Sequence, residues 1–444
     1  MSLINQPVRV IGGGLAGCEA AWQLAMRGIP VLLYEMKPKK YSPAHKYPGL
    51  AELVCSNSLK AIRLESAAGL LKQEMRRFGS LILEAAELTS VSAGGALAVS
   101  REDFSDYITK KIDESELITV ISEEVLDIPS GNVIIAAGPL ASDGLSASIR
   151  ELVGDRYLYF HDAAAPIVSS ESLDTDMVFA ASRYGRGEAD YLNCPMDREE
   201  YLTFYKELVS AERAPLHSFE LEGDGSFSVY EGCMPIEVLA SRGEDTMRFG
   251  PMKPVGLIDP RTGKRPYAVV QLRKENNEGT LYNLVGFQTN LRFGEQKRVF
   301  SMIPGLAGAE FVRYGVMHRN TYLNSPGLLD SRFRLKSDPR IRFAGQITGV
   351  EGYIESAASG IFCGFALARE LLGRSTPPLP VDTMMGALFS YVENGSASDF
   401  QPMGANMGIL PGLSHRIKGK QERYKALSDR ALSSLEGYLA GLGE

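Results

Sequence analysis

The pattern of apolar and polar positions resolves first into a compact unit near the N-terminus. Val8–Ile11 (VRVI) is a short apolar run entering glycines, which predicts a buried strand. The stretch from Cys18 to Gly28 carries Trp22, Leu24 and Ala25 as a mixed apolar stripe with a closing glycine, which predicts a helix. Pro30–Glu35 (PVLLYE) predicts a second buried strand. Strand, glycine turn, helix and strand in fewer than about 30 residues make a βαβ unit. Further along, Ser66–Leu88 is helix-like throughout, and Arg101–Glu114 predicts a surface helix. Asn132–Pro139 (NVIIAAGP) predicts a buried strand ending in Gly-Pro. From about Ala165 to Arg319 the texture changes to aromatic and β-branched runs broken by Gly and Pro, which predicts an antiparallel insertion. Ile341–Gly345 returns to the buried-strand style, a helix is predicted from near Ile354, and a last helix over Ser428–Leu442.

Composition narrows the class. The chain has 444 residues, 44% apolar and 23% charged, close to the average of soluble globular proteins. That length predicts two to three domains: 1–165 and 325–444 as two parts of one domain, with 166–324 inserted between them. No apolar run is long enough to span a membrane, and the N-terminal stretch has no basic region or cleavage site of a signal peptide. The five cysteines, Cys18, Cys55, Cys194, Cys233 and Cys363, form no C-x-x-C pair. A disulfide framework or a metal site is therefore not expected, and reduced thiols fit a cytoplasmic protein.

Charge changes the picture. The net charge of −7 alone speaks against a nucleic-acid partner, but the charge is segregated. Between Arg242 and Arg342 there are 18 Lys/Arg against 9 Asp/Glu, and Arg416, Lys418, Lys420, Arg423 and Lys425 form a second basic cluster opposed by Glu422. Segregation of this kind can present a basic face on an acidic chain, although it also describes an ordinary solvated surface.

The glycines after the first strand carry the clearest chemistry. Gly12-Gly13-Gly14-Leu15-Ala16-Gly17 follows a strand, opens a helix, and has Glu35 at the end of the next strand. Gly12 allows a tight turn, Gly14 admits a pyrophosphate to the backbone, and Gly17 permits close helix–strand packing. The helix N-terminus offers N–H groups to phosphates, and Glu35 can accept hydrogen bonds from ribose hydroxyls. A second glycine-rich strand–loop–helix, IRFAGQITGVEGYIESAASG, comes some 330 residues later with Gly345, Gln346 and Tyr353. It resembles the flavin-contacting segment of glutathione-reductase-like FAD proteins, with Gln346 where those have Asp. Gly138 in AAGP resembles their middle motif. The expected fold is α/β, a glutathione-reductase-like FAD-binding (Rossmann-type) domain with a mixed, largely antiparallel insertion domain, and the expected cofactor is FAD.

Two cysteines stand in unusual settings: Cys55 in ELVCSNSLK, a polar loop after the second strand, and Cys233 in EGCMPIEVLASRG, at the edge of the basic half. Cys18 and Cys363 lie on apolar helices and are expected to be buried. Together with GGGLAGCEAAWQ, GLLKQEMR, RFGPMKPVGL, GFQTNL, FAGQITGVEGYIESAASG and FQPMGANMGILP, these segments resemble the TrmFO family, the folate- and FAD-dependent tRNA (uracil-5-)-methyltransferases. The resemblance runs from residue 12 to about 411. The GQITGVEGYIESAA stretch is shared with the related wobble-uridine modifying family MnmG.

The resemblance implies methylation of C5 of a uridine in the tRNA T loop, at position 54. Methylenetetrahydrofolate would be the carbon donor, reduced FAD the carrier and reductant, and NADPH or NADH the electron source. It also implies Cys233 as nucleophile, Cys55 as second active-site thiol and base, and Tyr353 against a flavin or folate ring. Thiolate addition at C6 of uracil makes C5 nucleophilic, so paired cysteines suit the chemistry. Arg248, Lys253 and the arginines and lysines of 261–298, among them Arg261, Lys264, Arg265, Arg292 and Arg298, suit tRNA phosphates. Two other readings stay open on the residues alone: an MnmG-like wobble-uridine modifier, opposed by EGCMPIE, and a non-catalytic FAD- and tRNA-binding protein.

Overall fold

The computed structural model describes residues 6–42, 44–163, 165–185, 188–214, 234–275, 279–315, 317–398, 400–415 and 417–444. The βαβ unit forms as Val8–Ile11, Leu15–Ala25 and Val31–Glu35, the helix starting directly after Gly14 and so three residues earlier than its apolar stripe implies. These strands belong to a five-stranded sheet ordered Ile341–Phe343, Val133–Ile135, Val8–Ile11, Val31–Glu35, Ile118–Ser122. Every pairing in it is parallel. A parallel sheet covered by helices is buried on both faces, which is why its strands read as continuous apolar runs. Its outermost strand comes from the far end of the chain, so the segments before and after the insertion share one core.

That join is sealed by two helices at backbone contact. Tyr353–Leu371 crosses Leu15–Ala25 where a Cβ on Gly360 would lie 2.1 Å from the Ala16 carbonyl oxygen, and one on Gly364 2.5 Å from that of Ala20. The glycines therefore set the spacing of the two segments. The stretch Ser66–Leu88 is two helices, Ala67–Arg77 and Leu81–Leu88. Gly79, at φ +70°, turns the chain, and Ser80 caps the second helix by accepting from the Leu83 N–H. Apolar periodicity continues across that break because both helices face one core. Arg101–Asp113 is amphipathic, burying Phe104, Ile108 and Ile112, and the last helix begins at Lys420.

Two buried carboxylates act as helix caps here. Glu19 accepts the Leu81 and Ile82 N–H groups at 3.3 and 3.0 Å, and Glu74 those of Met384 and Met385, both at 2.7 Å. Burial pushes their pKa values up to about 7 and about 8, while the N–H donors oppose the shift.

The insertion holds a six-stranded sheet, ordered Phe179–Ala180, Tyr191–Met196, Ala268–Lys274, Leu281–Leu284, Ile167–Ser169, Phe311–Arg313. All its pairings are antiparallel. It packs its own core around Phe204, Phe287 and Phe300. An antiparallel ribbon of Tyr157–Ala163 and Met317–Leu323 carries the chain in and out. Among the described residues, no helix is long and apolar enough to cross a membrane.

Candidate active site

The glycine loop is built from absent side chains. Gly12 sits at φ +104°, where L side chains are strained, and a Cβ on Gly17 would fall 1.8 Å from the Gly12 carbonyl oxygen. Gly14, by contrast, has no atom within 4 Å of a Cβ position, so the space beyond it is open. As the N-cap of Leu15–Ala25 it brings no side chain to the first-turn N–H groups, which leaves them available to an anion. Glu35 closes the loop from the neighbouring strand, accepting the Gly13 N–H at 2.8 Å and the Lys37 N–H at 3.0 Å.

Above the loop lies an open cleft. Gly12, Gly13, Gly14, Leu15, Ala16 and Glu35 line one side, and Gly138, Gly345, Gln346 and Tyr353 another. Gly17 lies beneath, packed on Gly12. The open cradle at Gly14, the uncapped helix and the carboxylate of Glu35 fit the pyrophosphate and ribose of a dinucleotide. One positioning residue gave no sequence signal. Lys37 is buried, and its ammonium donates to the Tyr47 and Gly49 carbonyls and to Glu52, tying down the segment beside the cleft.

The Cys55 loop meets this cleft at Tyr353. The Tyr353 hydroxyl accepts the N–H groups of Cys55 at 2.9 Å and Ser56 at 3.3 Å, and lies 2.9 Å from the Cys55 Sγ. Burial pushes the Tyr353 pKa well above the usual phenol value, and negative charge on Cys55 adds to the shift. Three arginines grip the same loop. Arg101 donates to the Leu53 carbonyl at 2.6 Å, Arg313 to that of Val54 at 2.6 Å, and Arg273 to Ser56 Oγ and Asn57 Oδ1 at 2.8 and 2.9 Å. Arg101 is also paired with Glu275 at 2.7 Å. Cys55 is half-buried at the centre of this arrangement.

This corrects one expectation from the basic block. Arg273, one of the arginines of 261–298 assigned to phosphates, is only 7% exposed and turned inward onto the Cys55 loop. No spacing in AVVQLRK marks it, because all of Ala268–Arg273 is buried. Cys18, Cys194 and Cys363 are buried; burial pushes the last two up to about 12, and Cys18 higher. Cys233 lies outside the described residues.

The other basic residues divide by partner. Arg261 is held by Asp259, Arg292 by Glu212, and Arg298 by Glu295 and Glu207. Arg248 pairs with Asp245 and stacks over Tyr267 at 3.6 Å. Lys253, Lys264 and Arg265 are exposed. In the C-terminal cluster, Lys420 and Arg423 flank the ring of Tyr424, Lys425 pairs with Asp429, and Arg416 lies outside the described residues.

Comparison with known proteins places this geometry. A methylenetetrahydrofolate–tRNA-(uracil-5-)-methyltransferase TrmFO of Desulforamulus reducens is 59% identical over 97% of this chain and 97% of its own. The chain belongs to the TrmFO family. A second TrmFO, of Heliobacterium modesticaldum, is 58% identical over 98% of both chains. The wider family model described as glucose inhibited division protein A matches residues 7–375. Two crystal structures of Aquifex aeolicus GidA superpose with TM-scores of 0.67 and 0.68 at 16% and 17% identity. They cover 97% and 98% of this chain, and this chain covers 73% and 76% of theirs. At that identity the likeness is one of fold: this TrmFO-family chain has the GidA-type α/β architecture, with a parallel sheet and an antiparallel insertion.

Proposed function

We propose that the protein methylates C5 of uridine 54 in the T loop of tRNA, with methylenetetrahydrofolate as carbon donor and NADPH or NADH as electron source. The observation that carries the reading is the meeting of Cys55 and Tyr353 at the mouth of a dinucleotide cleft. FAD, when bound, supplies the redox chemistry linking nicotinamide, folate and uracil. The residues to hold it are Gly12 to Gly17 and Glu35 at the pyrophosphate and ribose, and Gly138, Gly345, Gln346 and Tyr353 around the rest. Cys233, by its motif position, adds to C6 of the uracil and makes C5 nucleophilic. Cys55 takes the proton from C5 once the one-carbon unit is attached.

Residues 1–165 and 325–444 serve as the FAD-binding domain and 166–324 as the tRNA-facing domain. Exposed Lys253, Lys264 and Arg265 are the cations there to meet phosphates, with Arg248, Arg261, Arg292 and Arg298 contributing where their ion pairs with carboxylates give way. A uridine within a folded loop must be splayed out to reach the cleft.

The test is nucleoside analysis of unmodified tRNA incubated with the protein, methylenetetrahydrofolate and NADPH, where 5-methyluridine is the expected product. With 5-fluorouridine tRNA, Cys233→Ala should lose the covalent protein–tRNA adduct and Cys55→Ala should retain it. The reverse outcome exchanges the two roles. Absence of 5-methyluridine from the wild type overturns the reading.

A further inference from the structure

The loop that carries Cys55 is organised around one sulfur atom. On either side of it, Leu53, Val54, Ser56 and Asn57 each accept a hydrogen bond from a guanidinium, and the three arginines come from three separate elements. Arg101 opens a helix, Arg273 lies one residue before the end of a strand of the insertion, and Arg313 ends another. The charged and titratable groups facing Cys55 from these elements and from Tyr353–Leu371 are Arg101, Arg273, Glu275, Arg313 and Tyr353, with Tyr191 behind Arg273. Among the described residues, three guanidiniums thus stand against one carboxylate. Arg273 is held by neutral oxygens, and Arg313 by a carbonyl.

The Tyr353 hydroxyl decides the direction of its bond to sulfur. A phenol oxygen has two lone pairs and one proton. Two backbone N–H groups take the lone pairs, at 2.9 and 3.3 Å, which leaves the proton for the Cys55 Sγ at 2.9 Å. The sulfur is then the acceptor, the role a thiolate fills better than a thiol.

We propose that Cys55 rests as a thiolate, held by the donated Tyr353 hydroxyl and by the net positive charge that Arg101, Arg273 and Arg313 keep over Glu275, the three arginines acting as positioning residues for it. The coupling is mutual: burial lowers the Arg273 and Arg313 pKa values, and negative charge on Cys55 opposes that shift. Burial meanwhile keeps Tyr353 protonated, so that of the pair the sulfur ionises. A resting thiolate is a base ready for use. In the transfer from C5 an S–H bond forms, the C5–H bond breaks, and its electron pair stays on the uracil ring. The inference deepens the role proposed for Cys55 and rests on that reading only for this last step.

Alkylation of the FAD-loaded protein by iodoacetamide tests it, with the Cys55 peptide followed by mass spectrometry from pH 5.5 to 9.5. The wild-type rate should have its midpoint at least about one unit below the ordinary thiol value of about 8.5. Arg273→Gln, Arg313→Gln and Tyr353→Phe should each raise the midpoint by about one unit, and Arg313→Lys should restore most of the shift. The melting temperature identifies any variant that fails to fold, and the wild-type midpoint decides the question without variants. A wild-type midpoint at or above about 8.5 overturns the inference, as do arginine variants that slow alkylation without moving the midpoint. Because alkylation needs neither folate nor tRNA, 5-methyluridine formation alongside an ordinary Cys55 thiol would sink this inference and leave the activity standing.

Discussion

The glycine loop and the Cys55 loop face one cleft and are made by opposite means. The first is shaped by what is missing: no Cβ at Gly12 or Gly17, and no capping side chain at Gly14. Its side-chain contact is local, the Gly13 N–H to Glu35, 22 residues away, and its other contacts are made by backbone: the Ala51 N–H donates to the Gly13 carbonyl at 2.8 Å, and Gly360 packs against that of Ala16. The Cys55 loop is shaped by long side chains brought from elsewhere, its partners lying 48, 217, 259 and 298 residues along the chain. Carboxylates cap helices inside the parallel-sheet core, as Glu19 and Glu74 do, whereas guanidiniums hold carbonyls and hydroxyls where the insertion meets it. A loop of glycines can be rigid by itself. The polar loop Leu53–Asn57 is held by side chains that only the folded chain brings to it.

The largest effect should come from adding one methyl group to the glycine loop. Gly17→Ala drives a Cβ into the Gly12 carbonyl, an overlap no rotamer relieves, and is expected to cost about 3 kcal/mol or more and to abolish FAD retention. Gly14→Ala meets no protein atom, so its melting temperature without ligand should stay near wild type while FAD affinity drops at least about tenfold. Melting curves and flavin titration separate the two, and equal destabilisation by both would contradict this description of the loop.

A smaller, pH-dependent effect probes the buried carboxylates. Glu74 is pushed from its usual 4.5 up to about 8, so between those values the native state binds more protons than the unfolded chain. Its contribution is therefore favourable at low pH and lost as pH rises towards about 8. Glu74→Gln should flatten the fall in melting temperature from pH 5 to pH 7. That window lies below the range where Lys72, pushed down to about 7, adds the opposite slope. An unchanged slope would assign the dependence to other groups.

The smallest effects belong to the exposed cations. Neutralising Lys264 and Arg265 together should weaken tRNA binding uniformly across tRNAs and reduce the salt slope by roughly one per lost phosphate contact. Arg261→Gln should do less, because Asp259 already holds that guanidinium. FAD affinity should be unaffected in both. A larger effect from Arg261 than from the pair would mean that its ion pair opens on the complex.

The cleft was legible in the sequence because its determinants are short-range. A strand, Gly12-x-Gly14-x-x-Gly17, a helix and Glu35 form one contiguous unit, and the glycines of the returning segment repeat the pattern around Gly345 and Gly352. The continuous apolar character of the strands marks a sheet buried on both faces. Other features were hidden for physical reasons. The break at Gly79-Ser80 leaves the apolar period intact, since both helices cover one core. Arg101 and Arg273 read as surface charge, because a guanidinium can be buried wherever carbonyls and amides meet its donors, and those acceptors are not written nearby.

The sequence by itself determined the unit that binds through its backbone, where glycine spacing, a helix N-terminus and one carboxylate follow each other within a few turns of chain. It also marked Cys55 and Tyr353 as separate candidates, 298 residues apart. Only the tertiary structure decided that they touch, and that three arginines from the helix Arg101–Asp113 and two strands of the insertion surround them. The reason lies in range: backbone geometry is set by neighbours in sequence, whereas the electrostatic setting of a buried sulfur is a sum over whatever the closed fold brings near it.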